Sequence, residues 1–371
     1  MARSNCIFIV VGRLGKNLII SKTLPVVASG VFSHIYIFSE EIGIKVDGAE
    51  YITLPKFIRF IQPVFLKRII RIVFEPFQLI FYTWRFRPAI IHGYYSIPKG
   101  VNSLIAAKLG GSKCIISIIG SKEEIETTFF IKRFSRPLII WLLKQTYHVT
   151  TKGRKDNEYL LRYGIKEDKT TIFNGAIDMG RFCYKGENKD IDLLFAGNFN
   201  EFKGPHRALE IIHRVSEQLP GIRALFIGKG PMYQEILNKS IKLGLSANIT
   251  FAGHVNDSEN FFKRARILLF PSANEGLSTA MLEAMACQCV PITSDVGNQT
   301  EAAIHNYNSI VISDFSDLEK FSEYALLLLK DHNQLNRLAE NAEKTIYSKY
   351  SPEVQGRICQ KFYSRVARTN I

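Results

Sequence analysis

Two glutamates eight residues apart are the side chains whose type and spacing most directly indicate chemistry. Glu275 lies in a polar loop after an apolar run, residues 267–270, that is typical of a buried parallel strand. Ser278 can cap a helix over residues 279–287, which places Glu283 about a turn and a half, roughly 8 Å, along that helix. Strand ends and helix N-termini bind nucleotides in α/β sheets. Glu275 can therefore accept hydrogen bonds from sugar hydroxyls while Glu283 holds a ribose, although solvated surface carboxylates would show the same spacing.

The residues around these two glutamates extend the pattern. Residues 270–292 read FPSANEGLSTAMLEAMACQCVPI, and they closely resemble the E-x7-E signature of the retaining glycosyltransferases of family 4, the group 1 type. The resemblance implies an α/β fold with two doubly wound, Rossmann-like domains facing across a cleft, the GT-B architecture. It also implies that Glu283 holds the donor ribose and Glu275 the hydroxyls of the donor sugar.

Loops elsewhere in the second half complete the donor site that the resemblance implies. Lys203, in a Lys-Gly pair that matches the family, is expected to bind the donor diphosphate and, with Glu275, to be catalytic. Asn198 stands where the family has an arginine, so one of two expected cations is missing. The backbone of Gly276, Leu277 and Ser278 is expected to stabilise charge on the departing diphosphate. The resemblance further implies that Gly15 lets the backbone approach the donor phosphate and that the loop at Gly253 lies beside the nucleotide base.

The acceptor side is expected at two strand ends of the first half. His92 follows one apolar strand, and Gly120 and Ser121 follow the next. In the resembling family a histidine precedes this glycine, but Ile119 occupies that place here. The three acceptor-side candidates are therefore His92, Gly120 and Ser121, and a structural role for His92 remains an alternative.

Length and charge divide the chain into parts. A chain of 371 residues suits two domains. We predict an acceptor-binding, membrane-facing domain over 1–183, a nucleotide-sugar donor domain over 184–350, and a helix over 351–371 that packs back on the first domain. Residues 1–183 contain 27 Lys and Arg against 13 Asp and Glu, whereas residues 184–371 contain 21 of each. This imbalance predicts that the first domain faces an anionic partner.

Two basic and apolar segments, 56–87 and 129–144, indicate an anionic membrane surface as that partner. The first contains seven basic residues and one acidic residue among aromatic and aliphatic side chains, a composition typical of a helix that lies on a membrane. A core helix with a cationic edge is the alternative. Nucleic acid is not expected, because no recognition motif accompanies the charge.

The chain shows neither a signal peptide nor an apolar run of membrane-spanning length, and its scattered cysteines indicate free thiols in a reducing cytosol.

Together these observations predict a metal-independent, retaining glycosyltransferase of the hexosyltransferase type. It would move a sugar from a UDP- or GDP-sugar to a lipid-linked glycan in bacterial surface polysaccharide biosynthesis, of the capsule, O-antigen or lipopolysaccharide kind. Its place would be the cytoplasm, peripherally at the inner face of the cytoplasmic membrane, and no cofactor is expected because the nucleotide-sugar is a substrate. A non-catalytic nucleotide-sugar-binding partner, an epimerase of the same fold and a nucleic-acid-binding protein are the alternatives.

Overall fold

The computed structural model describes residues 4–11, 16–39, 45–55, 58, 64–126 and 132–368. The chain divides into two compact units. Unit 1 comprises Met1–Ala176 and Pro352–Ile371, and unit 2 comprises Ile177–Ser351. The predicted boundary at 183/184 falls inside unit 2, because Ile177 and Phe182 are buried in the core of that unit.

Unit 1 is built on a seven-stranded parallel sheet with the order β3-β2-β1-β4-β5-β6-β7. Its central strands contain short apolar runs that are buried in hydrophobic clusters on both faces, as expected for a doubly wound sheet. The elements are β1 (Ser4–Val10), α1 (Lys16–Ala28), β2 (His34–Ser39), β3 (Glu50–Thr53), α2 (Val64–Phe86), β4 (Pro88–Tyr94), α3 (Val101–Gly110), β5 (Lys113–Ser117), α4 (Ser121–Glu126), α5 (Lys132–Lys144), β6 (His148–Thr151), α6 (Arg154–Arg162) and β7 (Thr170–Ile172).

Unit 2 repeats this plan with a six-stranded parallel sheet of order β10-β9-β8-β11-β12-β13. Hydrophobic clusters fill both faces of this sheet. The elements are β8 (Ile191–Ala196), α7 (Pro205–Gln218), β9 (Ala224–Ile227), α8 (Tyr233–Lys242), β10 (Ile249–Gly253), α9 (Ser258–Arg264), β11 (Ala265–Phe270), α10 (Thr279–Ala286), β12 (Val290–Ser294), β13 (Ile310–Ile312), α11 (Leu318–Lys330) and α12 (His332–Tyr350).

The last helix, α13 (Pro352–Arg368), returns to unit 1. It packs on α1 so closely that a Cβ placed on Gly356 would lie 2.8 Å from the Cβ of Ala28. Phe362 and Tyr363 are buried with side chains of β1 in the same hydrophobic cluster. Helix α13 is therefore part of the core of unit 1. The predicted fold class, two doubly wound α/β domains, is confirmed.

A half-buried lysine fixes the segment before β8 to the helix that carries Glu283. The Nζ of Lys189 donates to the carbonyl oxygens of Ala265 (2.7 Å), Cys287 (2.9 Å) and Gln288 (2.9 Å). Two of these carbonyls lie at the C-terminal end of α10, where a cation also interacts favourably with the helix dipole. The polar stretch 184–190 thus contributes directly to the packing of unit 2.

We expect Lys189→Met to lower the free energy of unfolding by about 1–3 kcal/mol, because three buried carbonyls lose their donor. The matched control is Lys185→Met, since Lys185 is exposed in the same stretch. Urea unfolding monitored by circular dichroism measures both. Equal stability of the two variants would contradict a clamping role for Lys189.

Candidate functional site

The strand, loop and helix around the two glutamates are arranged as the sequence predicts. Strand β11 ends at Phe270, a loop follows, and α10 begins at Thr279. Ser278 is the N-cap residue of α10, and its side chain accepts a hydrogen bond from the N–H of Met281. Glu275 therefore lies between the carboxyl end of a central strand and a helix N-terminus.

Glu275 is paired with Lys203, which lies 72 residues earlier in the chain. Its Oε1 accepts hydrogen bonds from the Lys203 ammonium and from the Ser272 hydroxyl, the latter at 3.2 Å. The side chains of Glu275 and Lys203 are 7% and 25% exposed, so the pair is shielded but open on the lysine side. The Lys203 ammonium also lies 5.5 Å from the centroid of the Phe270 ring. The structure thus brings together the two residues that the sequence analysis named as catalytic.

Arg207 holds the Lys203 loop against the Glu275 loop. Its Nε donates to the carbonyl of Pro271 (2.7 Å) and its Nη2 to the carbonyl of Glu201 (2.9 Å). Between the same two loops, the N–H of Ala273 donates to the carbonyl of Phe202 (2.7 Å). Burial lowers the pKa of Arg207 from its ordinary value. The sequence analysis missed this residue, although its position on the apolar side of α7, four residues before the buried Ile211, could have indicated it.

The segment after β12 supports the Glu275 loop from the other side. Gly297 has a φ of +54°, and a Cβ at this position would lie 1.7 Å from the carbonyl oxygen of Glu275. The N–H of Asn298 donates to the carbonyl of Gly276 (3.0 Å), and Gln299 Oε1 accepts from the N–H of Ser278 (3.2 Å). The sequence analysis gave these residues no role, because their contacts join loops that follow different strands.

These contacts refine the predicted donor-binding backbone positions. The amide of Ser278 is engaged by Gln299, so it is not free for a phosphate in this state. The side chain of Leu277 is buried in the hydrophobic core, and only its backbone can face a ligand. Glu283 is 6% exposed on α10, which excludes the alternative that it is an ordinary solvated helix residue.

Asn198 and Gly253 lie at the same edge of the sheet, on loops that are tied together. Asn198 is exposed directly after β8. A Cβ on Gly228, in the loop after β9, would lie 1.8 Å from the carbonyl oxygen of Gly197, and the N–H of Gly228 donates to the carbonyl of Gly253 (2.7 Å). Gly253 ends β10 with a φ of +66°. Unit 2 therefore gathers most of the predicted donor-binding residues at the carboxyl edge of its sheet.

In unit 1 the structure places His92 inside the fold. It is fully buried, its Nδ1 lies 2.7 Å from the hydroxyl of Tyr363, and its Nε2 lies 2.7 Å from the hydroxyl of Ser117. Burial, together with the positive charge of Lys22, lowers the pKa of His92 to about 3. Because both ring nitrogens are bonded within the protein, this geometry fits the structural alternative rather than an acceptor-side residue.

The other predicted residues of unit 1 are arranged around the half-buried carboxylate of Glu124. The amides of Ile119 and Gly120 both donate to Glu124 Oε2 at 2.8 Å, and the amide of Ser96 donates to its Oε1 at 2.5 Å. Burial raises the pKa of Glu124. The Gly120 amide is thus engaged internally. The side chain of Ser121 lies outside the described side chains, and Gly15 lies outside the described residues.

Among the described residues, no group of three or more His, Cys, Asp or Glu side chains is arranged to hold a metal ion. No helix in the described ranges is long and apolar enough to cross a membrane.

Comparison with known proteins gives the family context of this site. Residues 182–345, which lie within unit 2, match the family model described as Glycosyl transferases group 1. The lipopolysaccharide core biosynthesis glycosyltransferase LpsE of Rhizobium meliloti is 27% identical over 161 residues. That match covers 43% of this chain and 46% of LpsE, so the chain spans about half the length of this relative.

One further relative and one solved structure extend the comparison beyond unit 2. The UDP-Gal:alpha-D-GlcNAc-diphosphoundecaprenol alpha-1,3-galactosyltransferase of Escherichia coli is 22% identical, with 71% of each chain covered. The crystal structure of Anabaena HepE in complex with UDP-glucose matches with a TM-score of 0.79 at 12% identity, covering 97% of this chain and 99% of HepE. At that identity the structural likeness establishes the fold, and the sequence matches are to glycosyltransferases.

The packing of Gly297 yields a test of the loop arrangement. We expect Gly297→Ala to weaken nucleotide-sugar binding at least tenfold, because the added Cβ must displace the Glu275–Gly276 backbone and the new residue is strained at positive φ. Isothermal titration calorimetry measures this at a temperature where melting curves show the variant folded.

Gly221→Ala is the control, because a Cβ there meets nothing within 4 Å. Unchanged binding in Gly297→Ala would show that the Glu275 loop does not contribute to the donor site.

Proposed function

We propose that this protein is a retaining glycosyltransferase that moves a hexosyl group from a UDP- or GDP-sugar to a lipid-linked glycan. The observation that carries the proposal is the contact between Lys203 and Glu275 at the carboxyl edge of the unit 2 sheet. This edge places an ammonium and a carboxylate, of opposite charge, where nucleotides bind in doubly wound folds. The family match of residues 182–345 supports the same function.

In the proposed reaction the donor replaces the contact that Lys203 and Glu275 make with each other. The diphosphate oxygens attract the Lys203 ammonium, and Glu275 is released to accept hydrogen bonds from hydroxyls of the donor sugar. Glu283, buried on α10, is the proposed acceptor for the ribose hydroxyls. Each group thus exchanges one charged or polar partner for another. Neither the Lys203 ammonium nor the Glu275 carboxylate is left without a partner when the donor binds.

The chemical step itself requires little from the protein beyond positioning and electrostatics. The bond between the anomeric carbon and the diphosphate oxygen breaks, and the acceptor hydroxyl oxygen bonds to the same carbon on the same face. The hydroxyl proton passes to the departing phosphate oxygen. Lys203 stabilises the charge that develops on this leaving group. We propose that neither a metal ion nor a cofactor takes part.

The relatives support the class of donor and acceptor. HepE was crystallised with UDP-glucose, and the Escherichia coli relative is named for a UDP-galactose donor and a diphosphoundecaprenol-linked acceptor. LpsE is named for lipopolysaccharide core biosynthesis. We therefore propose a role in bacterial surface polysaccharide biosynthesis, with the protein in the cytoplasm at the inner face of the cytoplasmic membrane.

Two helices of unit 1 present the surface that we propose to contact the membrane. On α2, Phe77, Phe81 and Trp84 recur at helical spacing and are 60–66% exposed. On α5, the side chains of Phe134, Leu138 and Trp141 are likewise exposed. Large exposed aromatic side chains on basic helices are typical of interfacial membrane binding. The sequence also places three basic residues, Lys67, Arg68 and Arg71, in the first two turns of α2, and their side chains lie outside the described side chains.

Turnover of nucleotide-sugars with a polyprenyl-diphosphate glycan acceptor tests the proposed activity. We expect acceptor-dependent release of nucleoside diphosphate and an elongated glycolipid with retained anomeric configuration. Glu275→Gln is expected to reduce kcat at least a hundredfold, because the variant loses the charge that orients the sugar. The control is Glu210→Gln, a partly buried glutamate of α7 that pairs with Arg214 away from the site.

The outcome of this assay distinguishes the alternatives. Donor binding without turnover, in a panel of UDP- and GDP-sugars and acceptors, would favour a non-catalytic nucleotide-sugar-binding partner. Conversion of the donor sugar in the absence of acceptor would favour an epimerase. Undiminished transfer by Glu275→Gln would contradict the role assigned to Glu275.

Co-sedimentation with vesicles tests the membrane surface. We expect Phe77→Ser/Phe81→Ser to weaken binding to anionic vesicles at least tenfold, since burying one such side chain contributes about 1.5–3 kcal/mol. Charge reversal at Lys67, Arg68 and Arg71 should weaken binding to anionic vesicles further. The control is Ile241→Ser, an exposed apolar residue of unit 2. Equal binding of wild type and variants to neutral and anionic vesicles would overturn this part of the proposal.

A further inference from the structure

Unit 1 contains a buried lysine, Lys22, that has no acidic partner among the residues that the structure describes. Lys22 lies in the middle of α1 and is 2% exposed. Its Nζ lies 5.9 Å from the centroid of the Tyr94 ring. Within the described ranges, no carboxylate forms an ion pair with Lys22 and no acceptor bonds its ammonium. A buried ammonium is costly unless it is paired, so this arrangement calls for a ligand or a neutral amine.

The groups around Lys22 do not supply the missing negative charge. The titratable neighbours that influence it are Lys152, which directly follows β6, and His92 on β4. Burial, and then the positive charge of Lys152, hold the pKa of Lys22 well below its ordinary value. Among the described residues, the titratable groups that influence Lys22 are therefore a lysine and a histidine, and neither of them is acidic.

A second polar group at this place also has no partner. The hydroxyl of Tyr94 is buried, with the residue 1% exposed, and it makes no hydrogen bond to any atom in the described part of the chain. The Lys22 ammonium and the Tyr94 hydroxyl can each donate a hydrogen bond. An oxyanion can accept from both at once and also supplies the negative charge that a buried ammonium needs, which a neutral acceptor does not.

The location fits a ligand site in a doubly wound domain. Tyr94 is the last residue of β4, and Lys152 follows the last residue of β6. The chain after β7 packs on α1 beside Lys22, where the N–H of Ala176 donates to the carbonyl of Ser21 (2.9 Å). Tyr94 and Lys152 thus lie at the carboxyl edge of the unit 1 sheet, the edge at which such folds bind ligands, and the neighbour of Lys22 on α1 contacts the chain that leaves β7 at this edge.

We propose that Lys22 and the Tyr94 hydroxyl bind a phosphate group of the acceptor. The site deepens the proposed function and rests on it for the identity of the ligand: a lipid-linked glycan carries its phosphate close to the sugar that receives the new residue. Lysine suits this role because its ammonium binds phosphate as a point charge.

Titration of the full-length protein with inorganic phosphate in the presence of saturating UDP or GDP is the first experiment. The nucleotide fills the donor site of unit 2, so the remaining phosphate binding reports on other sites. We expect one saturable site, seen by calorimetry and as a phosphate-dependent rise in melting temperature. Lys22→Met should weaken this binding at least tenfold. Tyr94→Phe, which removes only the hydroxyl, should weaken it several-fold.

Two comparisons separate an effect on folding from an effect on phosphate binding. Without phosphate, Lys22→Met is expected to melt no lower than wild type, because it removes an unpaired buried amine. Lys166→Met, an exposed lysine of the same unit, controls for net charge. Phosphate binding of wild-type strength in Lys22→Met, or no nucleotide-resistant phosphate site in wild type, would overturn the proposal.

A second pair of probes distinguishes free phosphate from a lipid phosphate. Farnesyl phosphate should bind more tightly than inorganic phosphate and lose at least tenfold in Lys22→Met, whereas farnesol should bind equally to both proteins. Equal binding of farnesyl phosphate and farnesol to wild type would overturn the assignment to an acceptor phosphate. None of these readouts requires turnover, so a failure here is separable from a failure of the glycosyltransferase assay.

Discussion

The ion pair between Lys203 and Glu275 is the interaction on which the candidate site depends. Removing one partner of a fully buried pair typically costs about 3–5 kcal/mol, because the other charge is left unpaired. Lys203 is 25% exposed, so removing one partner of this pair costs less. The ion pair still joins two loops that follow different strands. A donor that carries both negative charge and hydroxyl groups can replace each half of the pair with an equivalent partner. The same contact thus stabilises the two loops and positions the two groups that we propose to bind the donor.

The surroundings of the pair explain why the two loops keep their positions. Arg207 binds backbone carbonyls of both loops, and Gly297 lets the chain after β12 pass directly against the Glu275 backbone. Lys189 bonds two carbonyls at the far end of α10 and a third at the start of β11. Together these residues hold the backbone around Lys203 and Glu275 in position. Such positioning is the requirement for the proposed catalysis by electrostatics and orientation.

Local patterns in the sequence were sufficient to predict the fold and the strand, loop and helix that carry Glu275 and Glu283. Continuous apolar runs such as 267–270 become buried parallel strands, and Ser278 caps the helix that follows. The supporting contacts could not be predicted, because Arg207 and Gln299 act on loops distant in sequence. The hydrogen bonds of His92 could not be predicted either, because its partners Ser117 and Tyr363 lie on other elements. The domain boundary was misplaced because the polar residues 184–190 do not show that Ile177 and Phe182 already pack in unit 2.

The most direct test of this account is a calorimetric comparison of nucleoside diphosphate and nucleotide-sugar binding in Lys203 and Glu275 variants. The ligands are UDP or GDP, whichever binds more tightly, and the corresponding sugar nucleotide. Lys203→Met should weaken both ligands at least tenfold. Glu275→Gln should leave the nucleoside diphosphate as tight or tighter, because the ammonium is released, while it weakens the nucleotide-sugar. Equal weakening of both ligands by Glu275→Gln, or unchanged binding in Lys203→Met, would contradict the exchange of partners at this ion pair.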